Sequence, residues 1–141
     1  MYVGSLTAAE TREVAAPLRI LLVDDSWEFL GSVEHFLSAE PRLKIVGYAS
    51  CGQEAVEQVN LLRPDLVLMD LTMPKMNGLV AARRIKAQTN APRVVILTVH
   101  NQPEYREAAQ AAGADGFISK SEFGAQVLPL IDNLFAHATV A

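Results

Sequence analysis

The stretch "RILLVDDSWEFL", Arg19–Leu30, decides the fold of this chain. Its segment Ile20–Val23 is a continuous apolar run, typical of a strand that is buried on both faces. Two acids, Asp24 and Asp25, follow at once, although like charges repel and a nearby core removes hydration. Ser26 is then a good helix N-cap, and apolar residues at helical spacing follow it. The stretch therefore predicts a strand, an acidic loop and a helix in immediate succession.

The same strand-to-helix pattern repeats along the chain. Further strands are predicted at 43–49, 65–70, 93–99 and 116–120, and helices at 26–40, 52–64, 77–88, 103–114 and 122–138. Pro129, inside the last of these helices, predicts a kink or a late start. Five strand-helix units in strict alternation predict an α/β fold with a parallel sheet that helices cover on both faces.

Composition limits the classes of protein that fit. The chain has 141 residues, half of them hydrophobic and 20% charged, which suits one globular domain. The net charge of −4 argues against nucleic-acid binding by this segment, because such binding needs a basic face. The single cysteine, Cys51, excludes an internal disulfide. No apolar run approaches the ~20 residues that span a membrane, so we expect a cytoplasmic protein.

The chain divides into three segments by composition and pattern. Residues 1–17 are small and mixed and predict a flexible extension, with a helical turn around Ala8 to Val14 as an option. The strand-helix pattern predicts one folded domain over residues 18–137. Residues 138–141 form a short tail.

Polar residues stand at the predicted ends of four strands. They are Asp24, Asp25, Asp70, Thr98, Ser119 and Lys120. Ligands of an open parallel sheet bind beyond the carboxyl ends of its strands, so these side chains should share one edge. Any single aspartate there could simply cap a helix. Three acids, a hydroxyl and a lysine at four strand ends instead favour a functional site.

The residue types in this set indicate phosphoryl chemistry. Clustered carboxylates raise one another's pKa, and a hard divalent cation relieves that conflict. Mg²⁺ prefers oxygen ligands and often takes one or two carboxylates together with waters and substrate phosphate. A lysine beside such a cation fits if an anion such as phosphate lies between them. A carboxylate can itself be the nucleophile and form an acyl phosphate.

Four motifs together resemble the receiver domains of two-component response regulators. They are "LLVDDS" (21–26), "VLMDLTMPKMNG" (67–78), "VVILTV" (94–99) and "GFISK" (116–120). The resemblance runs from about Leu18 to Phe135, so residues 18–137 would be the receiver domain. The segment "GADGFISK" is most similar to the NarL/LuxR-type subfamily, which usually carries a helix-turn-helix output domain. The resemblance implies a flavodoxin-like fold with strand order 2-1-3-4-5 and five helices.

The resemblance also implies a phospho-acceptor and a metal site. Asp70 matches the aspartate that takes a phosphoryl group from a histidine kinase or a phosphotransfer protein. Asp25 and Asp70 would bind Mg²⁺ (or Mn²⁺) directly, with the backbone carbonyl of Thr72 as a third protein ligand. Asp24 would act mainly through a bound water.

Other matched residues would bind the phosphoryl group and change conformation in response to it. Lys120 would contact the phosphoryl oxygens, and Thr98 would hydrogen-bond to them after phosphorylation. Phe117 matches the switch aromatic, whose rotamer follows Thr98. Pro74 and Gly78 match the loop after the third strand. The surface of the fourth helix, fifth strand and fifth helix would then repack and mediate homodimerisation or partner binding.

Several positions depart from common family patterns. Val99 follows Thr98 where many receivers have a small residue, and valine could crowd access to the phosphoryl site. Phe117 replaces a frequent tyrosine. Thr72 and His100 occupy the two positions expected to tune the lifetime of the phosphorylated state, and their identity leaves that lifetime open.

Three functions remain to be separated. The first is a phospho-acceptor signalling domain, not a turnover enzyme, that controls transcription through a DNA-binding domain absent from this chain or acts alone. The second is a pseudo-receiver that serves only as an interaction module. The third is a phosphohydrolase similar to the haloacid-dehalogenase phosphatases, which place the nucleophile at the first strand in a D-x-D pattern. Here the first strand ends in "DDS", and no cap-like insertion is evident.

Two aromatic residues near the acids have several interpretations. Trp27 could shield the pocket, mark a kinase-docking face on the first helix, or pack on that helix, and the sequence does not decide. His100 could be a metal ligand or a general base, but a lone histidine at a strand end is more often a partly exposed loop residue.

Overall fold

Strands and helices alternate along the chain as predicted. The computed structural model describes residues 16–73, 76–100 and 102–136. Its elements are β1 (Leu18–Val23), α1 (Trp27–Ser38), β2 (Leu43–Ala49), α2 (Gly52–Leu62), β3 (Leu66–Asp70), α3 (Gly78–Lys86), β4 (Arg93–Thr98), α4 (Pro103–Ala111), β5 (Gly116–Ser119) and α5 (Phe123–Leu134). A 3₁₀ turn, Lys120–Glu122, joins β5 to α5. The predicted turn at Ala8 to Val14 and the matched Pro74 lie outside the described residues.

The sheet has the strand order β2-β1-β3-β4-β5, and all four strand pairs are parallel. This confirms the predicted fold class and strand order. After β1 the chain adds β2 on one side and then returns to place β3 on the other. The order therefore reverses at β1, and the crevice beyond the carboxyl ends of β1 and β3 is where such sheets bind ligands. Among the described residues, no helix has the length and apolar character needed to cross a bilayer.

Two apolar layers hold the helices against the sheet. Val67 and Met69 of β3 face one way and pack with buried residues of α2, α3 and α4. Leu66 and Leu68 alternate to the other side and pack with buried residues of α1 and α5. Every residue of β3 is buried, which is why its sequence is a continuous apolar run that ends in an acid.

Side-chain caps fix the starts of two helices near the site. The Ser26 hydroxyl accepts a hydrogen bond from the backbone N–H of Phe29 at 3.2 Å, which confirms the predicted N-cap of α1. The Asn77 side-chain oxygen accepts one from the N–H of Val80 at 3.0 Å and starts α3. Ser26 directly follows Asp25, and Asn77 ends the segment that joins Asp70 to α3.

Of the two outcomes expected for Pro129, a kink or a late start, the late start does not occur. α5 begins at Phe123 and runs through Pro129 to Leu134. A proline inside a helix costs ~3 kcal/mol, because it removes one backbone donor and crowds the preceding turn. Burial of Phe123, Val127 and Ile131 in the core offsets that cost and carries the helix through the proline.

Gly78 marks the closest backbone approach near the site. A Cβ at this position would lie 2.2 Å from the carbonyl oxygen of Asp70, closer than any real contact. The Gly78 N–H also donates to the carbonyl of Leu71 at 2.8 Å. Glycine therefore lets α3 start against the very residue that ends β3.

A pair of glycine substitutions tests this approach. We expect Gly78→Ala to lower the free energy of unfolding by about 2 kcal/mol or more, because backbone must move to admit the methyl group. Gly31→Ala is the control, since Gly31 lies within α1 and nothing lies within 4 Å of the place that an alanine methyl group would occupy. It should raise stability by about 0.5–1 kcal/mol. Urea unfolding measures both, and an unchanged stability in Gly78→Ala would contradict the close approach.

Candidate functional site

Three carboxylates gather where β1 and β3 end. Asp24 and Asp25 follow β1, Asp70 is the last residue of β3, and one oxygen from each lies within 4.8 Å of the others. Asp24 is 1% exposed and Asp70 6% exposed, whereas Asp25 is exposed. Adjacent, oxygen-only ligands that are open on one side suit a hard divalent cation such as Mg²⁺ or Mn²⁺. The three side chains could therefore hold a metal ion.

Lys120 brings a positive charge to this cluster. Its side chain reaches from the end of β5, and its Nζ lies 2.6 Å from Asp24 Oδ2 and 3.4 Å from Asp70 Oδ1. Both carboxylates are buried, and a buried charge is tolerated when it is paired and hydrogen-bonded. The lysine predicted from the sequence to join the acids thus does so.

Asp24 has a partner for each of its oxygens. While Oδ2 accepts from Lys120, Oδ1 accepts from the backbone N–H of Ser26 at 2.8 Å. The Asp24 N–H in turn donates to the carbonyl of Ala49 at 3.0 Å. This residue is fixed from three directions and ties β1, β2 and the start of α1 together.

Asp70 has a perturbed acidity. Burial and, after it, the nearby charge of Asp24 raise the pKa of Asp70 to about 6, a net value in which Lys120 lowers the pKa and Asp25 raises it. Keeping Asp70 ionised at neutral pH therefore lowers the stability of the folded protein when no metal is bound. Any cation that binds beside it would reduce that cost.

Thr98 ends β4, the strand that lies between β3 and β5 in the sheet. Thr98 is buried at the end of β4, and its Oγ1 accepts a hydrogen bond from the backbone N–H of His100 at 3.0 Å. The His100 ring stacks on Tyr105 of α4, with ring centroids 4.9 Å apart. This agrees with the interpretation of His100 as a partly exposed loop residue. Thr98 is thereby connected to the first turn of α4.

Phe117, the matched switch aromatic, is half-buried in β5. The guanidinium carbon of Arg106, on α4, lies 4.7 Å from the centre of its ring. A cation over an aromatic face is attracted to it, so Arg106 holds the outer face of Phe117. A cavity of about 190 Å³ adjoins the pair, between α4 and β5.

Three side chains around the site are open to solvent. Thr72 is exposed in the loop after β3, and Val99 is 71% exposed after β4. Trp27, the first residue of α1, is 72% exposed, which argues against the interpretation that it packs on the helix. Shielding of the pocket and a docking role remain open for Trp27.

Sequence reasoning missed one contact of the site. Helical spacing places Phe29 only on the apolar face of the first helix, yet Lys120 Nζ lies 4.3 Å from the centre of its ring. The signal available in the sequence was its position, three residues after the Ser26 cap and close behind the acids. The partner could not be identified, because Lys120 belongs to a distant strand end.

Comparisons with known proteins agree with this geometry. Residues 20–131 match the response regulator receiver domain. NarL, the nitrate/nitrite response regulator of Escherichia coli (strain K12), is 38% identical over 104 residues, which cover 74% of this chain and 48% of NarL. A protein-glutamate methylesterase/protein-glutamine glutaminase of Cereibacter sphaeroides is 41% identical over 134 residues, which cover 93% of this chain and 36% of that protein.

A solved structure shows the same fold. The crystal structure of a LuxR-family two-component response regulator from Aurantimonas sp. SI85-9A1 superposes with a TM-score of 0.81 at 31% identity, covering 86% of this chain and 87% of that one. The chain belongs to the response regulator receiver domain family, and its relatives include NarL/LuxR-type regulators. It spans about half the length of NarL.

The raised pKa of Asp70 predicts that this group stabilises the folded state less at neutral pH than at acidic pH. Between about pH 4 and pH 6 the folded protein holds a proton on Asp70 that the unfolded chain has lost, so stability falls as pH rises through this window. Asp70→Asn removes the ionised form. At pH 7 without metal, it should therefore raise the free energy of unfolding by about 1–3 kcal/mol.

Urea unfolding in the presence of a chelator measures this difference at pH 7 and at pH 4. The gain in Asp70→Asn should shrink toward pH 4, where folded wild type carries the proton and the unfolded chain begins to regain it. Asp132→Asn, which changes an exposed acid on α5, should shift stability by less than about 0.5 kcal/mol at either pH. A loss of stability in Asp70→Asn at pH 7 would contradict the prediction.

Proposed function

We propose that this chain is a phospho-acceptor, which takes a phosphoryl group on Asp70 from a histidine kinase or phosphotransfer protein in a reaction that depends on Mg²⁺ (or Mn²⁺). One observation carries the proposal. The Asp70 carboxylate lies beside two further acids and beside Lys120 Nζ, which is 3.4 Å from Asp70 Oδ1. A carboxylate nucleophile flanked by a cation site and an ammonium group is suited to receive a phosphoryl group.

The acids would divide the metal-binding work. Asp25 is exposed and can turn toward a cation as a direct ligand together with Asp70 and the backbone carbonyl of Thr72. Asp24 has both oxygens engaged, by Lys120 and by the Ser26 N–H, which favours a contact through water. Bound Mg²⁺ would neutralise charge on the acceptor and on the incoming phosphoryl oxygens.

The transfer itself needs few protein groups. An O–P bond to Asp70 would form as the N–P bond of the donor phosphohistidine breaks. Lys120 would then bind a phosphoryl oxygen, since its Nζ already lies beside Asp70 Oδ1. The raised pKa of Asp70, about 6, still leaves the nucleophile ionised at neutral pH.

Phosphorylation would then act on α4, β5 and α5. The Thr98 hydroxyl would donate to a phosphoryl oxygen, and its movement would pull on the His100 N–H that it accepts from. Phe117, now held under Arg106, would follow into the space that Thr98 leaves. The altered surface could support a homodimer or bind a partner. The size of the population shift would be set by how much more the phosphoryl group stabilises one of the two states than the other.

This proposal describes a cytoplasmic signalling domain and not a turnover enzyme. Membership of the receiver family argues against the phosphohydrolase alternative. The pseudo-receiver alternative stays, because Val99 stands beside the site, although its side chain is 71% exposed. The output is a proposal too: similarity to NarL favours control of transcription through a further domain, or the chain acts alone.

Beryllofluoride and acetyl phosphate test the proposal in the presence of Mg²⁺. We expect wild type to gain the mass of one phosphoryl group and to bind one beryllofluoride, and Asp70→Asn to do neither, because the acceptor oxygen is gone. Asp132→Asn is the matched control on an exposed surface and should behave as wild type. If no adduct forms with these donors or with a cognate kinase, the chain is a pseudo-receiver. Turnover of varied phosphoesters would instead support a hydrolase.

The proposed division between Asp24 and Asp25 is tested by Mg²⁺ titration. Trp27, the only tryptophan, follows the acid pair closely and gives a fluorescence signal. We expect Asp25→Asn to weaken Mg²⁺ binding by about tenfold or more and Asp24→Asn to weaken it less, because Lys120 and the Ser26 N–H engage both oxygens of Asp24. A larger loss in Asp24→Asn would reverse the assignment.

A further inference from the structure

The ammonium group of Lys120 rests on the face of an aromatic ring as well as on carboxylates. Its Nζ is 4.3 Å from the centroid of Phe29, well inside the ~6 Å range in which a cation is attracted to an aromatic face. The Lys120 side chain is only 14% exposed, so water competes little for this contact. A cation–π contact is therefore part of what holds this lysine in place.

Four contacts link Asp24, Ser26, Phe29 and Lys120 in a closed ring. Asp24 Oδ1 accepts from the Ser26 N–H at 2.8 Å, and the Ser26 hydroxyl accepts from the Phe29 N–H at 3.2 Å. The Phe29 ring then faces Lys120 Nζ, which donates back to Asp24 Oδ2 at 2.6 Å. The Asp24 carboxylate thus fixes Lys120 with one oxygen. With the other oxygen, and through the Ser26 cap, it fixes the backbone of Phe29, whose ring supports Lys120.

We propose that Phe29 is a positioning residue for phosphoryl transfer, whose ring face holds the Lys120 ammonium group beside Asp70. Without the ring, only the carboxylates of Asp24 and Asp70 would fix the end of a long and flexible side chain. The ring attracts the ammonium group without neutralising it, so Lys120 keeps its charge for the phosphoryl oxygens. The effect on transfer rests on the proposed function, whereas the contact itself does not.

The aromatic residues around Phe29 supply a matched control. Phe29 and Phe36, both on α1, each meet Phe123 edge-to-face, with ring centroids 6.0 and 5.8 Å apart and ring planes at 74° and 69°. The two phenylalanines thus make nearly the same packing contact with α5. Of the two, Phe29 is the one whose ring contacts Lys120. Leucine at either position removes the same edge-to-face contact.

The first measurement is the rate constant of phosphorylation by acetyl phosphate at saturating Mg²⁺. We expect Phe29→Leu to lower it about fivefold, the effect of losing roughly 1 kcal/mol of attraction. Phe29→Tyr keeps the ring face and should stay within about twofold of wild type. Phe36→Leu should also stay within about twofold, although it too loses the edge-to-face contact with Phe123. A Phe29→Leu rate within twofold of wild type, or equal losses in both leucine variants, would overturn the proposal.

The second measurement does not depend on phosphorylation. The ring current of Phe29 should shift the NMR signals of the Lys120 methylene group next to Nζ upfield, with assignment by Lys120→Arg. This shift should vanish in Phe29→Leu and persist in Phe29→Tyr and Phe36→Leu. If wild type takes no phosphoryl group from any donor, the proposed function fails, and the NMR signal alone then decides whether Phe29 holds Lys120. An unshifted signal in wild type would overturn the contact.

Discussion

The contact between Lys120 and Asp24 makes the rest of the site possible. Two buried carboxylates, Asp24 and Asp70, would be too costly side by side without a positive charge, since burial and like charge both oppose ionisation. Lys120 Nζ lies within 4 Å of both and offsets part of that cost. The compensation is partial, because the pKa of Asp70 is still raised to about 6. The electrostatic cost that Lys120 leaves uncompensated would favour the binding of a divalent cation. Once the cation is bound, it would also favour a phosphoryl group.

The sheet topology explains why a lysine and an aspartate 96 residues apart can meet. Parallel strands deliver all their carboxyl ends to one edge, and the reversal of strand order at β1 leaves a crevice between β1 and β3. The apolar strands determine where each polar residue lies, while close backbone packing determines how near the loops come. Gly78 is the clearest case, because α3 starts in contact with the carbonyl of Asp70.

Much of this could be predicted from the sequence, for identifiable reasons. Continuous apolar runs revealed the strands, and four of the five end at or beside a residue that the site uses, as with Asp70 and Thr98. The course of a helix through a proline was harder to predict. Burial of Phe123 and Val127 outweighs the cost of Pro129, and helix propensity, which is a local property, does not include the energy of burial. The contact of Phe29 with Lys120 could not be predicted either, because it depends on the relative placement of α1 and β5. Side-chain partnerships across the sheet edge follow from tertiary geometry and not from periodicity.

Both groups that would bind a phosphoryl group already have partners in this structure. Lys120 donates to Asp24, and Thr98 Oγ1 accepts from the His100 N–H. The two differ in what phosphorylation requires of them. Lys120 has three N–H donors and can add a phosphoryl oxygen beside its present contacts, whereas Thr98 has a single O–H and, in the proposed switch, would move toward the phosphoryl group. Because Thr98 is bonded to the His100 backbone, and His100 stacks on Tyr105, this movement is coupled to α4. Lys120 would therefore contribute mainly to binding, and Thr98 to the conformational change.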